Sequence, residues 1–385
     1  MNFFNTTLGF SLTGQWAAAF DSSGTMYMPD SSCIKSVSPN GAVSVFAGQC
    51  GKSGHADGAA STAQFYSIRG IAFNANKTTL YVADSNNEPY GTLYSYVRKI
   101  TNGVVSTVAG GTPVNGYSQW DSNSCQSRDG PGTQATFGLW LGFNGAGANS
   151  NMMAVDKYEN IFIVDSMNHR IRMISPNGTV ATLAGGLGAV SRGSGCYSTP
   201  PGFFDGRGLN ASLNTPTSLA FDAAGNLFFS ESANPCIRQV DTTGLVTSFA
   251  GSCVQPFYAG LYKSTSAGSP PGGNVNGALP SALLGAVNGI AFGSDGTLYF
   301  IDSSGLRSIS PFGQVSTLVN NFGLLGPAYL TSNADRIPLF LAMFNSTIYV
   351  VANTYFYGWA ILSIQTNGTS GATTSLTRLM AAGLM

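Results

Sequence analysis

Six polar side chains recur, each at the end of a short apolar run: Asp30, Asp84, Asp165, Glu231, Asp302 and Asn353. A few residues after each of the first five stands a cation: Lys35, Arg98, Arg172, Arg238 and Arg307. In the sixth unit Leu362 or Ser363 breaks the series. A ring of carboxylates about one axis is chemistry for a divalent cation. Recurrence at a single position favours architecture instead, because a catalytic site is normally asymmetric. Each acid and base is expected to pair between units or to cap a turn. The two histidines, His55 and His169, are too few for a multi-histidine metal centre. Neither lies in a nucleophile-elbow context, and no phosphate-binding G-x4-GK[ST] loop is present. No catalytic residue, metal or cofactor is assigned, and a metal-dependent lyase or hydrolase is the least favoured function.

The elements that would position these residues are repeats, and repeats decide the fold. The clearest unit, residues 151–186, reads NMMAVDKYENIFIVDSMNHRIRMISPNGTVATLAGG. Related units occupy residues 17–49, 70–111, 218–252 and 289–319, with a degenerate sixth at 340–380. The alanine of the first strand marks the phase: Ala19, Ala72, Ala154, Ala220, Ala291 and Ala342. Each unit reads as four short strands rich in Val, Ile, Phe and Tyr, separated by Asn-Gly, Asp-Gly or Ser-Pro turns. Four-stranded units repeated radially make a propeller, which protects strand edges. The expected fold is therefore all-β, a six-bladed β-propeller of antiparallel blades in one domain, 1–385. Blades are expected near 12–50, 65–111, 137–186, 213–253, 284–320 and 337–381.

The run from the first strand through Asn168, His169 and Arg170 to the closing Ala-Gly-Gly resembles the NHL repeat. The lead-in Gly54-His55-Ala56-Asp57-Gly58, followed by Ala63-Gln64-Phe65, is similar to that family too, and Asp129-Gly130 and Asp205-Gly206 repeat it. The resemblance implies a propeller but no single activity, since related propellers include receptor modules, sensors, scaffolds and a few enzymes. The sixth unit departs from it, lacking the lead-in, the third-strand cation and the Ala-Gly-Gly ending. The ring is expected to close in phase, leaving a seam between blades six and one. The C-terminal LTRLMAAGLM would supply an outer strand or reach outward to a partner.

Strand alternation sends the long connections to one face and short turns to the other. The long insertions, near 111–137, 187–213, 252–286 and 320–338, carry Tyr117, Trp120, Tyr197, Phe203, Phe204, Phe257, Tyr258 and Tyr262. Long loops on a rigid scaffold are where binding usually resides, so these aromatics are the binding-face candidates, set against the reading that they only pin their own loops.

Cys33 and Cys50 bracket one hairpin and Cys236 and Cys253 bracket the equivalent one, each pair 17 residues apart. That placement suits cross-strand disulfides, and Cys125 with Cys196 would make a third. Zinc would require closer ligand spacing. Three bridges and no spare thiol imply an oxidising compartment, hence secretion or the cell surface. Sequons at Asn5, Asn76, Asn177, Asn210, Asn345 and Asn367 are glycosylation candidates, although Asn-Gly-Thr is also good turn chemistry. The N-terminal segment lacks the features of a signal peptide, so the chain reads as a mature or truncated piece of a longer precursor.

Seventeen basic residues balance 17 acidic ones. Without a basic excess to displace counterions, nucleic-acid binding is disfavoured. No apolar run is long enough to span a bilayer. Only 9% of residues are charged, against about 25% in ordinary soluble proteins, so glycans or burial in an assembly would have to keep the surface soluble. The function expected is an extracellular structural, assembly or adhesion module contacting protein through the long-loop face. A carbohydrate- or peptide-binding receptor module is the alternative.

Overall fold

The computed structural model describes residues 17–86, 90–111, 114–118, 127–139, 151–187, 190–191, 197–198, 200–231, 234–253, 273–279, 281–320, 339–354, 358–365 and 377–380. Six antiparallel sheets follow one another along the chain, each ordered from the inner to the outer strand as in the sequence. Blade 1 comprises Ala19–Phe20, Met26–Asp30, Cys33–Val37 and Val43–Gly48. Blade 2 comprises Ile68–Phe73, Thr79–Ser85, Ser95–Thr101 and Val104–Gly110; blade 3, Met153–Val155, Ile161–Asp165, Arg170–Ile174 and Val180–Ala184. Blade 4 runs through Pro216–Phe221, Leu227–Glu231, Cys236–Val240 and Leu245–Gly251; blade 5, through Gly289–Phe292, Leu298–Asp302, Gly305–Ile309 and Gln314–Asn320. Blade 6 contains Leu339–Phe344, Thr347–Thr354, Gly358–Gln365 and Thr377–Met380. The C-terminal segment thus supplies the outer strand of blade 6, and among the described residues no N-terminal strand crosses the seam.

Four strands per blade is not the whole count. Two-residue strands of the lead-ins, Gly58–Ala59, Gly206–Arg207 and Gly277–Ala278, add a fifth, outermost strand to blades 2, 4 and 5. They are too short to be read from periodicity. The lead-ins of blades 2 and 4 also bond the preceding blade: Gly48 N–H donates to Ala60 O and Ala60 N–H to Gly103 O, as Gly185 N–H does to Gly208 O and Gly208 N–H to Gly244 O.

The second strands IFIVD, LFFSE and LYFID are buried along their whole length. They sit mid-blade with a neighbouring blade on each face, so they read as apolar runs rather than as alternating ones. The core is accordingly divided among the junctions between blades. Ile34, Ala47, Phe65, Ile71 and Val82 fill one; Phe228, Ile237, Leu284, Ile290 and Phe300 fill another. A repeated aromatic contact joins the second strand of one blade to the first strand of the next, as in Tyr27–Phe73, Phe162–Phe221 and Phe228–Phe292. The seam uses the same device: Phe20 packs on Tyr349 at 4.7 Å and on Phe344 at 5.2 Å.

The glycine closing the outer strand has a steric reason. Gly48, Gly110, Gly185 and Gly251 all have φ near +85°, and a Cβ there would collide with the carbonyl of Ser32, Ser95, His169 or Pro235. In blade 5 the requirement passes to the facing strand, where Gly305 pairs with Asn320. The bulge in the outer strand of blades 1 to 5, beside the third-strand cation, is missing from blade 6. There Leu362 holds the cation's register position and Arg378 lies opposite it.

Candidate functional site

In blades 1 to 5 the recurring acids and bases pair inside the blade and not between blades, while the expected turn capping is seen where Asp302 accepts from Ser304 N–H. Arg172 shows the arrangement most fully. Its Nη1 donates to Asp165 Oδ2 at 2.8 Å, Ser127 Oγ at 2.9 Å and Thr136 O at 3.0 Å. Its Nη2 donates to Arg128 O at 2.8 Å and Asp129 Oδ1 at 2.5 Å, and Nε also reaches Asp129. The guanidinium lies 5.2 Å from the Phe137 ring centroid. Asp129 also accepts from Thr182 N–H on the outer strand. Lead-in, strand 2, strand 3 and strand 4 are thereby tied to one buried cation.

Arg98 makes the same clamp with Asp57, Ala56 O and Gln64 O; Arg238 with Asp205, Phe204 O and Ser212 O; Arg307 with Asn276, Val275 O and Leu283 O. All four arginine side chains are fully buried. In blade 1 Lys35 meets Asp30 at 3.8 Å. These carboxylates are committed to buried ion pairs and backbone bonds, which organise the blade. The aspartate of the "Asp-Gly" lead-in is their second acid, a partner the sequence shows but does not connect to the arginine.

Both hairpin disulfides form, Cys33–Cys50 and Cys236–Cys253, with Cα atoms 4.9 and 5.3 Å apart. Asp30 approaches the first bridge, but half-cystines have no thiolate to offer a metal. Cys125 and Cys196 lie outside the described residues.

His169 has φ 54° and accepts a hydrogen bond at Nδ1 from Thr215 N–H, 3.0 Å away. It fastens the second-to-third-strand loop of blade 3 to the entry of blade 4. Burial pushes its pKa down to about 4. Between about pH 6.5 and this value the unfolded chain binds the proton and the folded chain does not, so stability is complete above pH 6.5 and declines as pH falls, by up to about 3 kcal/mol. Asp84 has the opposite sign, because burial raises its pKa to about 6. Comparing His169→Asn with the parent across pH 4–7 by urea titration isolates the histidine. Asparagine tolerates the left-handed backbone, and the variant is expected to lose that slope. An unchanged slope would exclude the assignment.

Blade 2 breaks the symmetry on its long-loop side. The position of Cys33 and Cys236 at the start of the third strand is taken by Tyr96. His55 stacks on Tyr96 with centroids 3.9 Å apart. Tyr66, Tyr94 and Tyr96 are within 20° of parallel, at centroid distances of 6.2–6.4 Å. The Tyr96 hydroxyl is pushed up to about 12, by burial first and then by the neighbouring Tyr66 and Tyr94. Beneath this shelf, Asp84 Oδ2, Ser95 Oγ and His55 Nδ1 are buried with no hydrogen-bond partner among the described residues. Arg98 is drawn toward the lead-in and stands 3.6 Å from Asp84, where the equivalent distance in blade 3 is 2.8 Å. A ribbon of Tyr90–Leu93 paired with Val114–Ser118 flanks the shelf and contains Tyr117.

Tyr197 lies in a second ribbon, Val190–Ser191 with Tyr197–Ser198. Phe203 and Phe204 stack on each other at 4.9 Å, Phe204 being 56% exposed. They hold in blade 4 the repeat positions of His55 and Ala56. Trp120, Phe257, Tyr258 and Tyr262 lie outside the described residues. Sequence reasoning missed Tyr66, Tyr94 and Tyr96, which sit at or beside strand ends rather than in a long insertion. The only signal for them is a Tyr-rich register within blade 2. Of the sequons, Asn76, Asn177, Asn210 and Asn345 are exposed, and Asn5 and Asn367 fall outside the described residues.

The fold, the buried arginine clamps and the closed seam define a six-bladed β-propeller. No family model and no curated protein matches the chain. Among solved structures it is similar to a streptogramin B lyase (12% identity, 98% of this chain and 86% of that one, TM-score 0.48). Virginiamycin B lyase from Staphylococcus aureus is also similar (10% identity, 96% and 87% covered, TM-score 0.47). So is a gluconolactonase from Xanthomonas campestris (12% identity, 92% and 87%, TM-score 0.46). At these identities the likeness carries no argument about activity. No helix among the described residues is long and apolar enough to cross a membrane.

Proposed function

We propose that this chain is a binding propeller of an extracellular, oxidising compartment that holds a protein partner, another copy included, on its long-loop face. The supporting observation is the aromatic shelf of Tyr66, Tyr94, Tyr96 and His55, which among the described residues occurs in one blade, as a binding site should. The exposed Phe203–Phe204 pair offers a second contact. Interfaces draw their energy from such aromatic anchors, and the Arg238 clamp on the Phe204 carbonyl limits the ordering cost of association. The recurring carboxylates and arginines support a binder over an enzyme because buried pairs occupy them. The hairpin disulfides support the compartment. Glycosylation at the exposed sequons belongs to this reading.

Sedimentation velocity of the oxidised chain over a wide concentration range tests it. Reversible association is expected, with Phe204→Ser and Tyr94→Ser each weakening it by about tenfold or more. A monomer at every concentration, with no adhesion to extracellular matrix proteins, removes the reading. The near-parallel tyrosines favour a second one, a carbohydrate stacked on the shelf. A glycan array read with and without Tyr94→Ala separates the two.

A further inference from the structure

The opposite end of the axis holds a cavity of about 590 Å³. All six phase-marking alanines line it, as do Phe20, Phe73, Phe221, Phe292 and Phe344. It opens among the short turns, where Asp21, Lys77 and Asn345 form part of the rim. Asn151 forms its floor: the side-chain amide reaches from the entry of blade 3 to Leu341 O at 2.7 Å and Ile290 O at 3.2 Å, bridging the channel. The small alanines explain why space is left on the axis. Small apolar side chains and first-strand backbone polar groups share the lining, and a cleft of this size can take a small molecule with both an apolar and a polar part.

Two charged side chains, Asp21 and Lys77, line the cavity among the described residues. Asp21 is held by Ser23, Thr25 and Tyr27, and Glu159, on the same face, by Asn74 and Tyr81. Lys77 has no carboxylate within ion-pair distance among the described residues. Its ammonium sits 5.9 Å from the centroid of Phe73, itself a wall residue. Crowding by the wall lowers its pKa with no anion to offset it. Its backbone is left-handed, φ 61°, in a turn that glycine or asparagine would occupy with less strain. Lys77 also borders a smaller cleft of about 210 Å³ between blades 1 and 2, so a head group meets the cation where the two cavities adjoin.

We propose that the short-turn mouth of the channel binds an amphipathic monoanion, its apolar body among the alanines and phenylalanines and its anionic head on Lys77. The site lies on the face opposite the proposed partner surface, so the two stand or fall separately. Titrating the oxidised chain with 1-anilinonaphthalene-8-sulfonate, and then displacing the probe with decanoate or decanol, tests it. Saturable binding at one site per chain is expected, with decanoate displacing the probe more strongly than decanol. Lys77→Met should weaken decanoate by about tenfold and abolish its advantage over decanol, with Lys77→Arg staying close to the parent. Thermal melts of both variants matching the parent would show that the fold is intact. Ala154→Leu, which narrows the channel and leaves the charge, should weaken both ligands. The proposal is overturned if the parent shows no saturable binding, or if Lys77→Met binds decanoate as the parent does.

Discussion

Arg172→Ala is expected to destabilise the propeller by about 3–5 kcal/mol, the usual cost of leaving a buried charge without its partner. The substitution strips Asp165, which is fully buried, of its guanidinium. It also removes the guanidinium from the carbonyls of Arg128 and Thr136, which keep only the backbone N–H bonds they exchange with each other. Asp129 is half exposed and can return to water, so the loss concentrates on the inner carboxylate and the lead-in. Because the lead-in packs between blades, the damage should reach both junctions of blade 3. Urea denaturation followed by tryptophan fluorescence measures it. Removing the buried acid as well, in Arg172→Met with Asp165→Leu, should recover part of the loss, because no charge is then stranded. If Arg172→Ala melts with the parent, the clamp does not organise the blade, and the acids become free for other chemistry.

Reduction should have an effect of similar or greater size. Each hairpin disulfide closes a loop with a sequence separation of 17, worth about 3 kcal/mol by loop-closure entropy, so about 6 kcal/mol for the two. The bridges join the start of the third strand to the chain just beyond the outer strand, where Cys33 faces Gly48 and Cys236 faces Gly251. Without them the outer strands of blades 1 and 4 are held there mainly by backbone bonds. Denaturation with and without a phosphine reductant should show this difference, and Cys33→Ala with Cys50→Ala should reproduce about half. Peptide mapping of the native protein should recover both bridges. Free thiols at these positions in the native material would remove the argument for an oxidising compartment.

Much of this architecture is legible in the residues. The phase of the alanines, the turn chemistry and the equal cysteine spacings depend on local pattern, which each unit carries complete. Blade 6 was also marked as aberrant by what it lacks. The pairing of the recurring ions was not legible, because the partner of each arginine is chosen by the path of the lead-in. Asp57 is 41 residues from Arg98 and Asp129 is 43 from Arg172, separations at which spacing along the chain says nothing about contact. The same holds for the tyrosine shelf. Tyr66 precedes the first strand of blade 2, while Tyr94 and Tyr96 lie at the entry of the third, and only the folded sheet makes neighbours of them.

The sequence by itself determined six copies of one sheet, their order, and the two hairpins that are cross-linked. Those features rest on short-range chemistry: turn conformations, β-branched runs and paired thiols at fixed spacing. Only the tertiary structure decided which polar groups are consumed and which are left over. Closing the ring places the lead-in aspartates on the arginines, brings three tyrosines and a histidine to one rim, and leaves Lys77 at the mouth of the axis with no carboxylate partner among the described residues. Burial and proximity belong to the closed circle, and no single repeat contains them.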